Sequence, residues 1–228
     1  MPQNPREDPA PPPGRYPWAS VLKQRDRQYN GPGIRWGKDT VRDGEGPGHA
    51  VRRFAGKVLL TGPPGCGKTT VARKIAGIFG SGAVGFFTEE VRDAAGTRTG
   101  FLVESTDGRK GELSSRRSGS GPRVGAYVVD VRSFEAVAIP SLAGAADKVF
   151  IIDEIGKMEC FSEAFRIRVG EILDSDLFVL ATIPLRGGGL FLQGIRNRQD
   201  VAIVPVTQAN RDRLPLEISE MFRRGRPG

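Results

Sequence analysis

From residue 57 onward, the chain alternates short apolar runs with segments of helical periodicity. Residues 57–61 form an apolar run that ends at a glycine, which is typical of a buried parallel strand. In the segment 68–79 that follows, Val71, Ile75 and Ile78 recur at helical spacing and predict an amphipathic helix. The same two patterns predict further strands at 84–91, 100–104, 126–131, 148–153, 177–183 and 201–206, and helices at 133–146, 162–173, 190–196 and 208–222.

This pattern also sets the fold class. Regular alternation of strands and helices is typical of a parallel sheet with helices on both faces. Residues 105–124 break the alternation, because serine, glycine and arginine fill the segment and few apolar positions remain, so we expect a mobile loop there. The sequence therefore predicts an α/β fold, a three-layer α/β/α sandwich with a mainly parallel sheet.

Residues 1–52 show neither pattern. Of the first 56 residues, nine are proline and eight are glycine, together 30%, which is typical of low-complexity sequence. The consecutive prolines at 11–13 favour an extended conformation. We therefore predict a disordered Pro/Gly/Arg-rich N-terminal extension over 1–52, followed by one folded domain over 53–228.

Composition and charge narrow the class of protein. The 228 residues carry 34 basic and 26 acidic side chains, a net charge of +8, so nucleic acid is a secondary candidate partner. No apolar run approaches the roughly 18 residues of a membrane span, so no membrane partner is expected. Two cysteines cannot build a disulfide framework, and the N-terminus has no apolar signal segment. We therefore expect a cytoplasmic protein, with the nucleus as the alternative compartment.

The strongest motif follows the first apolar strand. It fits the phosphate-loop pattern G-x-x-x-x-G-K-[ST] with one more threonine after it: Gly62, Pro63, Pro64, Gly65, Cys66, Gly67, Lys68, Thr69 and Thr70. Glycines let the main chain curl so that its N–H groups point at a phosphate, and the helix that begins there adds the positive end of its dipole. We expect Lys68 to reach the β- and γ-phosphates and the Thr69 hydroxyl to bind Mg²⁺.

A second motif ends the most apolar strand, where residues 149–152 lead into Asp153 and Glu154. A carboxylate at this place lies beside the phosphate loop, so Asp153 is predicted to hold Mg²⁺ together with Thr69. Glu154 is predicted to orient and deprotonate the attacking water. The motif follows the phosphate loop by about 85 residues, which leaves room for an intervening strand. That spacing favours an additional-strand P-loop NTPase over a simple nucleotide kinase.

Three more residues follow predicted strands where a nucleotide is expected to bind. Thr182 is placed to sense the γ-phosphate or the attacking water, although a hydroxyl satisfied by the main chain is an equal interpretation. Asn210 and Arg211 follow the last strand, where P-loop proteins commonly place base contacts. The run 207–210 lacks the lysine and aspartate of a guanine-reading motif, so strict GTP specificity is not expected.

Several runs besides the phosphate loop carry a family signature. They are GFFTEEVR at 85–92, YVVDV at 127–131 with SFE at 133–135, IDEIGKME at 152–159, and NR at 210–211 after VT at 206–207. Together they resemble the thermophilic-type nucleoside-triphosphatases, whose animal members are called cancer-related nucleoside-triphosphatases. The resemblance covers about 57–220 and implies a small additional-strand P-loop fold that hydrolyses nucleoside triphosphates with Mg²⁺ and with broad base tolerance. The extension over 1–52 departs from this family pattern.

The charged positions of these runs are further candidates. Arg92 or Arg132 is a candidate source of positive charge at the γ-phosphate in the transition state, with a solvated ion pair at a strand edge as an equal alternative. Lys157 is expected to form an ion pair with Glu159, with an approach to phosphate as the alternative.

Two other functions stay open at the level of sequence. A nucleotide or small-molecule kinase uses the same phosphate loop, and its lid would be 105–124 with Arg109, Arg116, Arg117 and Arg123. A nucleotide-dependent switch that binds RNA or a protein partner would use the arginine-rich extension. The acidic pair of Asp153 and Glu154 favours water as the phosphate acceptor. The preferred prediction is therefore a Mg²⁺-dependent nucleoside-triphosphatase.

Overall fold

Nine strands and five α-helices follow one another along the residues that the structure, a computed structural model, describes: 56–116, 120–144 and 147–225. The strands are β1 Lys57–Thr61, β2 Ala83–Arg92, β3 Arg98–Ser105, β4 Lys110–Ser115, β5 Arg123–Val124, β6 Tyr127–Val129, β7 Val149–Asp153, β8 Phe178–Thr182 and β9 Ala202–Pro205. The helices are α1 Lys68–Phe79, α2 Val131–Ser141, α3 Glu163–Asp174, α4 Gly189–Arg196 and α5 Leu214–Gly225. The predicted extension over 1–52 lies outside the described residues and stays a prediction.

The nine strands form one sheet in the order β5-β6-β4-β3-β2-β7-β8-β1-β9. The strands β2, β7, β8, β1 and β9 are parallel, whereas β3, β4, β6 and β5 extend the sheet by antiparallel pairing. β8 lies between β1, which leads into the phosphate loop, and β7, which ends at Asp153. This inserted strand confirms the predicted additional-strand class, and it places both motifs at the carboxyl edge of the parallel strands.

Helices cover both faces of the sheet and bury two apolar cores. On one face the rings of Phe86, Phe134 and Phe165 meet edge-on, with centroids 5.2 to 5.8 Å apart, under α2 and α3. On the other face Ile75 of α1 and Phe222 of α5 are fully buried against the strands. Each such side chain stabilises the fold by ~1.5–3 kcal/mol. The two cores confirm the predicted three-layer sandwich.

Most predicted elements are confirmed to within a few residues. The helix after the phosphate loop spans Lys68–Phe79, as its periodicity indicates. The helix predicted over 162–173 spans Glu163–Asp174, and the Ser162 hydroxyl accepts a hydrogen bond from the main-chain N–H of Phe165 at 2.9 Å. A helix cap of this kind can be predicted from sequence, because the hydroxyl and the main-chain N–H that it accepts from are only three residues apart.

Two segments differ from the sequence-based expectation. The mobile loop predicted over 105–124 is wrong, because Lys110–Ser115 and Arg123–Val124 form β4 and β5. Leu113 is the one buried apolar side chain of β4, and the strand forms because β3 and β6 supply pairing partners on either side. The last helix begins at Leu214 rather than 208, because side-chain and main-chain hydrogen bonds hold residues 207–213 as a loop.

Of the helices in the described parts of the chain, none combines the length and the apolar character needed to cross a bilayer.

Gly85 lies where the main chain of β2 approaches that of β7 closely, and its replacement tests this strand pairing. Gly85 has a φ of 133°, and a Cβ there would lie 1.8 Å from the carbonyl oxygen of Ile151. We expect Gly85→Ala to lower the free energy of unfolding by about 3 kcal/mol or more, measured by urea denaturation. The control is Gly96→Ala, a turn position with a φ of 76° and no atom within 4 Å of the added Cβ, where a loss of about 1 kcal/mol is expected. Equal losses in the two variants would contradict the clash.

Candidate active site

The phosphate loop lies between the end of β1 and the start of α1. Gly62 has a φ of 154°, and a Cβ there would lie 2.7 Å from Cys66 Sγ and 2.8 Å from the carbonyl oxygen of Val206. The loop therefore closes tightly on itself and on the chain that follows β9. Within it, the main-chain N–H of Cys66 donates to the carbonyl of Pro63 at 3.3 Å.

Lys68 folds back across this loop. Its Nζ donates to the carbonyl oxygen of Gly62 at 3.1 Å and to that of Pro63 at 3.5 Å. The ammonium group is thus held over the main chain that is expected to surround a phosphate. No acidic residue lies in the first turn of α1, so the positive end of the helix dipole is not neutralised there.

Asp153 is a nearly fully buried carboxylate beside the loop. Its exposed fraction is 2%, and its Oδ1 accepts a hydrogen bond from the Thr182 hydroxyl at 2.5 Å. Its Oδ2 is buried and accepts no hydrogen bond from the described residues. Burial raises the pKa of the carboxyl group, whereas the hydrogen bond from Thr182, the nearby Thr69 hydroxyl and the positive charge of Lys68 lower it. The structure therefore brings Lys68, Thr69, Asp153 and Thr182 together.

Two glutamates lie behind Asp153. Glu154 is half-buried, and burial raises its pKa, with the charge of Asp153 adding to the rise and that of Lys68 opposing it. Glu159 is buried, and a Cβ on Gly156 would lie 2.6 Å from Glu159 Oε2 and 2.7 Å from Glu154 Oε1. The two carboxyl groups thus lie close together. Burial, followed by the charge of Glu154, raises the pKa of Glu159 to about 8.

The burial of Glu159 corrects one sequence prediction. Lys157 is exposed, and none of the ion pairs among the described residues joins it to Glu159. The 3₁₀ turn at Glu159–Phe161 directs the glutamate inward, and the neighbouring lysine side chain lies in solvent. The expected ion pair is therefore wrong.

Arg73 is a member of this site that sequence reasoning missed. From α1, its guanidinium lies 4.3 Å from the centroid of the Phe87 ring and donates to Glu89 and, at 3.2 Å, to Glu104. Its charge lowers the pKa of Asp153. Only the pairing of β2 with β3 brings these glutamates together, so no local sequence signal exists for the cluster.

Arg92 and Arg132 lie away from the phosphate loop. Phe87 is level with Asp153 in the β2–β7 register, so Arg92 lies five residues beyond the acidic pair, about 17 Å along the strand. The Arg92 guanidinium donates to Glu90 and to the carbonyl of Gly96 at 2.8 Å. Arg132 is exposed in the first turn of α2. Their predicted role at the γ-phosphate stays a prediction that these positions do not support.

The loop after β9, which carries Asn210 and Arg211, adjoins the phosphate loop, and their predicted base contacts stay a prediction. The Arg211 Cδ would lie 3.2 Å from a Cβ on Gly67, so the arginine stem packs over the end of the phosphate loop. The Asn210 side chain instead turns inward, accepting from the Thr207 N–H and donating to the Pro205 carbonyl, each at 2.8 Å.

These features define a class of protein: a P-loop nucleoside-triphosphate-binding protein of the additional-strand type. A family described as NTPase has a model that matches residues 57–219. Nucleoside-triphosphatase THEP1 of Aquifex aeolicus is 42% identical over 177 residues, covering 74% of this chain and 99% of the relative. The human cancer-related nucleoside-triphosphatase is 44% identical over 184 residues, covering 72% and 95%. The chain therefore belongs to this nucleoside-triphosphatase family.

Solved structures agree with this assignment. The crystal structure of THEP1 from Aquifex aeolicus gives a TM-score of 0.67 at 42% identity and covers 73% of this chain and 98% of that one. The solution structure of the human cancer-related nucleoside triphosphatase gives 0.64 at 40% identity and covers 75% and 99%. The resemblance noted from the sequence is confirmed, as is the prediction of a hydrolase of nucleoside triphosphates at the level of the family.

The buried Glu159 generates a prediction about stability and pH. A carboxyl group whose pKa is about 8 in the folded state and 4.5 in the unfolded state lowers the free energy of unfolding as the pH rises between those values. We therefore expect Glu159→Gln to be more stable than wild type at pH 8, by on the order of a few kcal/mol. The difference shrinks toward pH 5, where the wild-type glutamate is protonated in the folded state and about a quarter protonated in the unfolded one.

Urea denaturation of the metal-free protein from pH 5 to 8.5 measures this difference. The control is Glu171→Gln, an exposed position on α3 whose side chain is 48% exposed, where no such change with pH is expected. Parallel stability curves for wild type and Glu159→Gln would show that Glu159 does not hold a proton in the fold.

Proposed function

We propose that this protein hydrolyses nucleoside triphosphates to nucleoside diphosphate and phosphate in a Mg²⁺-dependent reaction with broad base tolerance. The observation that carries the proposal is the convergence of Lys68 and Thr69 with the buried carboxylate of Asp153, next to Glu154. The names of the relatives, nucleoside-triphosphatases at 42% and 44% identity, support the same reaction.

Thr69 and Asp153 fit a magnesium site. Mg²⁺ is usually held by one or two protein oxygens together with substrate phosphates and water. The buried Oδ2 of Asp153 accepts no hydrogen bond from the described residues, so it is free to accept one from a metal-bound water. Held by these two residues, Mg²⁺ would supply positive charge that offsets the negative charge of the triphosphate. The Thr182 hydroxyl holds the other oxygen of Asp153 and so fixes the orientation of the carboxylate.

The phosphate loop supplies the substrate contacts. Its main-chain N–H groups and the start of α1 favour negative charge. The Lys68 ammonium bonds to two carbonyls of the loop, and a triphosphate that enters the loop offers stronger, charged acceptors in their place. Lys68 then neutralises charge that develops on the γ-phosphate oxygens.

Glu154 is the proposed general base. Burial raises its pKa, so its carboxylate is a stronger base than an exposed glutamate, while Lys68 opposes the rise and favours the ionised form. The carboxylate accepts a proton from water as the water oxygen bonds to the γ-phosphorus. The bond to the β-γ bridging oxygen breaks, and the diphosphate leaves.

The kinase alternative loses its main support. It depended on 105–124 as an arginine-rich lid, but β4 and β5 occupy much of that segment. Arg109 forms an ion pair with Asp107 at 2.8 Å, and Arg116 lies over the Tyr127 ring at 5.6 Å. Arg117 lies outside the described residues, as does the extension on which the RNA- or partner-binding switch depends.

The first functional prediction concerns Glu154. We expect Glu154→Gln to lower kcat for phosphate release by about 10²–10⁴-fold and to retain nucleotide binding, because the amide cannot take up the proton. Phosphate release from ATP, GTP, CTP and UTP with Mg²⁺ measures kcat, and Glu171→Gln is the control for an exposed carboxylate.

Two outcomes would contradict this proposal, one for the role of Glu154 and one for the reaction itself. Turnover of Glu154→Gln within threefold of wild type would remove Glu154 as the base. Wild-type protein that binds nucleotide and releases phosphate only to an added acceptor would indicate a kinase.

The second functional prediction concerns Thr69 and the metal. We expect Thr69→Ala to raise the Mg²⁺ concentration for half-maximal activity about tenfold, because one ligand oxygen is lost. Thr69→Ser keeps the hydroxyl and is the matched control, with a Mg²⁺ requirement close to that of wild type. Titration of Mg²⁺ into EDTA-treated protein measures the requirement. Activity that survives EDTA, or equal Mg²⁺ curves for Thr69→Ala and Thr69→Ser, would refute this assignment.

A further inference from the structure

The strand order fixes which end of the phosphate loop takes the nucleoside. β1 has two neighbours, β8 on the side of Asp153 and β9 on the other side. If the site hydrolyses a nucleoside triphosphate as proposed, the γ-phosphate lies toward the acidic pair on the β8 side. The phosphate chain then runs along the loop, so the nucleoside lies on the β9 side, beside the loop of residues 207–213.

Hydrogen bonds hold the start of this loop against the end of β1 and join the loop to itself. The main-chain N–H of Val206 donates to the carbonyl of Thr61 at 2.7 Å, which joins it to the end of β1. The N–H of Arg211 donates to the carbonyl of Thr207 at 3.0 Å, which forms a turn. Any side chain that projects from the turn toward the phosphate loop is therefore held at a defined place.

Asn210 does not face the nucleoside side of this turn. Its Oδ1 accepts from the Thr207 N–H and its Nδ2 donates to the Pro205 carbonyl, so both ends of the amide are directed into its own loop. A side chain reads a base by presenting donors and acceptors to the base edge. The amide of Asn210 is oriented away from that task.

Arg211 has the opposite arrangement. Its stem packs over Gly67 of the phosphate loop, and it forms no ion pair with any described residue. The next two residues of the chain are paired, Asp212 with Lys74 at 3.5 Å and Arg213 with Glu217 at 3.6 Å. Arg211 is thus the unpaired cation of this loop, at the nucleoside end of the phosphate loop.

We propose that the Arg211 guanidinium is the platform on which the base of the nucleotide stacks, and that this contact makes binding tolerant of base identity. A guanidinium is planar and stacks on π faces, which all four bases have. Because stacking reads no base edge and Asn210 is directed elsewhere, the site holds adenine, guanine, cytosine and uracil alike. This inference rests on the proposed function and names the residue behind its base tolerance.

Equilibrium binding without turnover tests the platform. The probes are ATP, GTP, CTP and UTP, together with tripolyphosphate, which has the phosphates but no base. We expect Arg211→Ala to raise Kd about tenfold for all four nucleotides and by less than twofold for tripolyphosphate. Arg211→Lys keeps the charge without the plane and is expected to lose nearly as much nucleotide affinity.

The matched control is Arg213→Ala, two residues along the same loop, for which unchanged affinities are expected. Retained tripolyphosphate binding by Arg211→Ala shows that the phosphate loop is still folded. An equal loss for tripolyphosphate and nucleotides would mean a phosphate contact and overturn the platform. Unchanged nucleotide affinity in Arg211→Ala, or a loss confined to one base, would overturn it as well.

The result is separable from hydrolysis. Nucleotides that bind in the expected manner without phosphate release would sustain the platform and reject the hydrolase. Phosphate release that depends on Glu154, with nucleotide affinity unchanged in Arg211→Ala, would support the hydrolase and reject the platform.

Discussion

The buried carboxylate of Asp153 is the constraint around which the site is arranged. It ends a strand whose preceding four residues have no exposed surface, so the protein must supply its partners. The Thr182 hydroxyl from β8 supplies one of them, and the phosphate-loop helix brings Thr69 and Lys68 to the same carboxylate. These partners depend on β8 lying between β1 and β7. The inserted strand β8 therefore joins β1 to β7 and also places the Thr182 hydroxyl beside Asp153.

The charged groups around Asp153 differ in how deeply they are buried. Glu154 and Glu159 lie behind Asp153, and the space that keeps their two carboxyl groups adjacent exists because residue 156 is a glycine. Lys68 lies on the phosphate side, and Arg73 is held by Glu89 and Glu104 of the antiparallel strands. Positive charge from Lys68 and Arg73 therefore acts on Asp153, while burial increases from the half-buried Glu154 to the buried Glu159. This order suits a site that must attract a polyanion and accept a proton.

The two sides of β1 carry groups with different proposed roles. On the β8 side lie the groups proposed to hold the metal and activate water. On the β9 side, the chain after Val206 contacts Gly62 at its start and Gly67 at Arg211. Glycine is therefore needed at Gly62 and Gly67 because the chain after β9 packs closely against both, as well as because the loop curls around a phosphate. The proposed reaction and the proposed nucleoside contact use different loops, which permits variants that separate them.

The sequence by itself determined the parts of this protein whose residues are neighbours along the chain. The phosphate loop, the helix Lys68–Phe79, the Ser162 cap and the acidic strand end follow from spacings of a few residues, because their contacts are local. Only the tertiary structure decided the burial of Glu159, the Arg73 cluster, the Thr182 to Asp153 hydrogen bond and the strands within 105–124. Each of these depends on strand order and register, which join residues distant in sequence and can override local propensity.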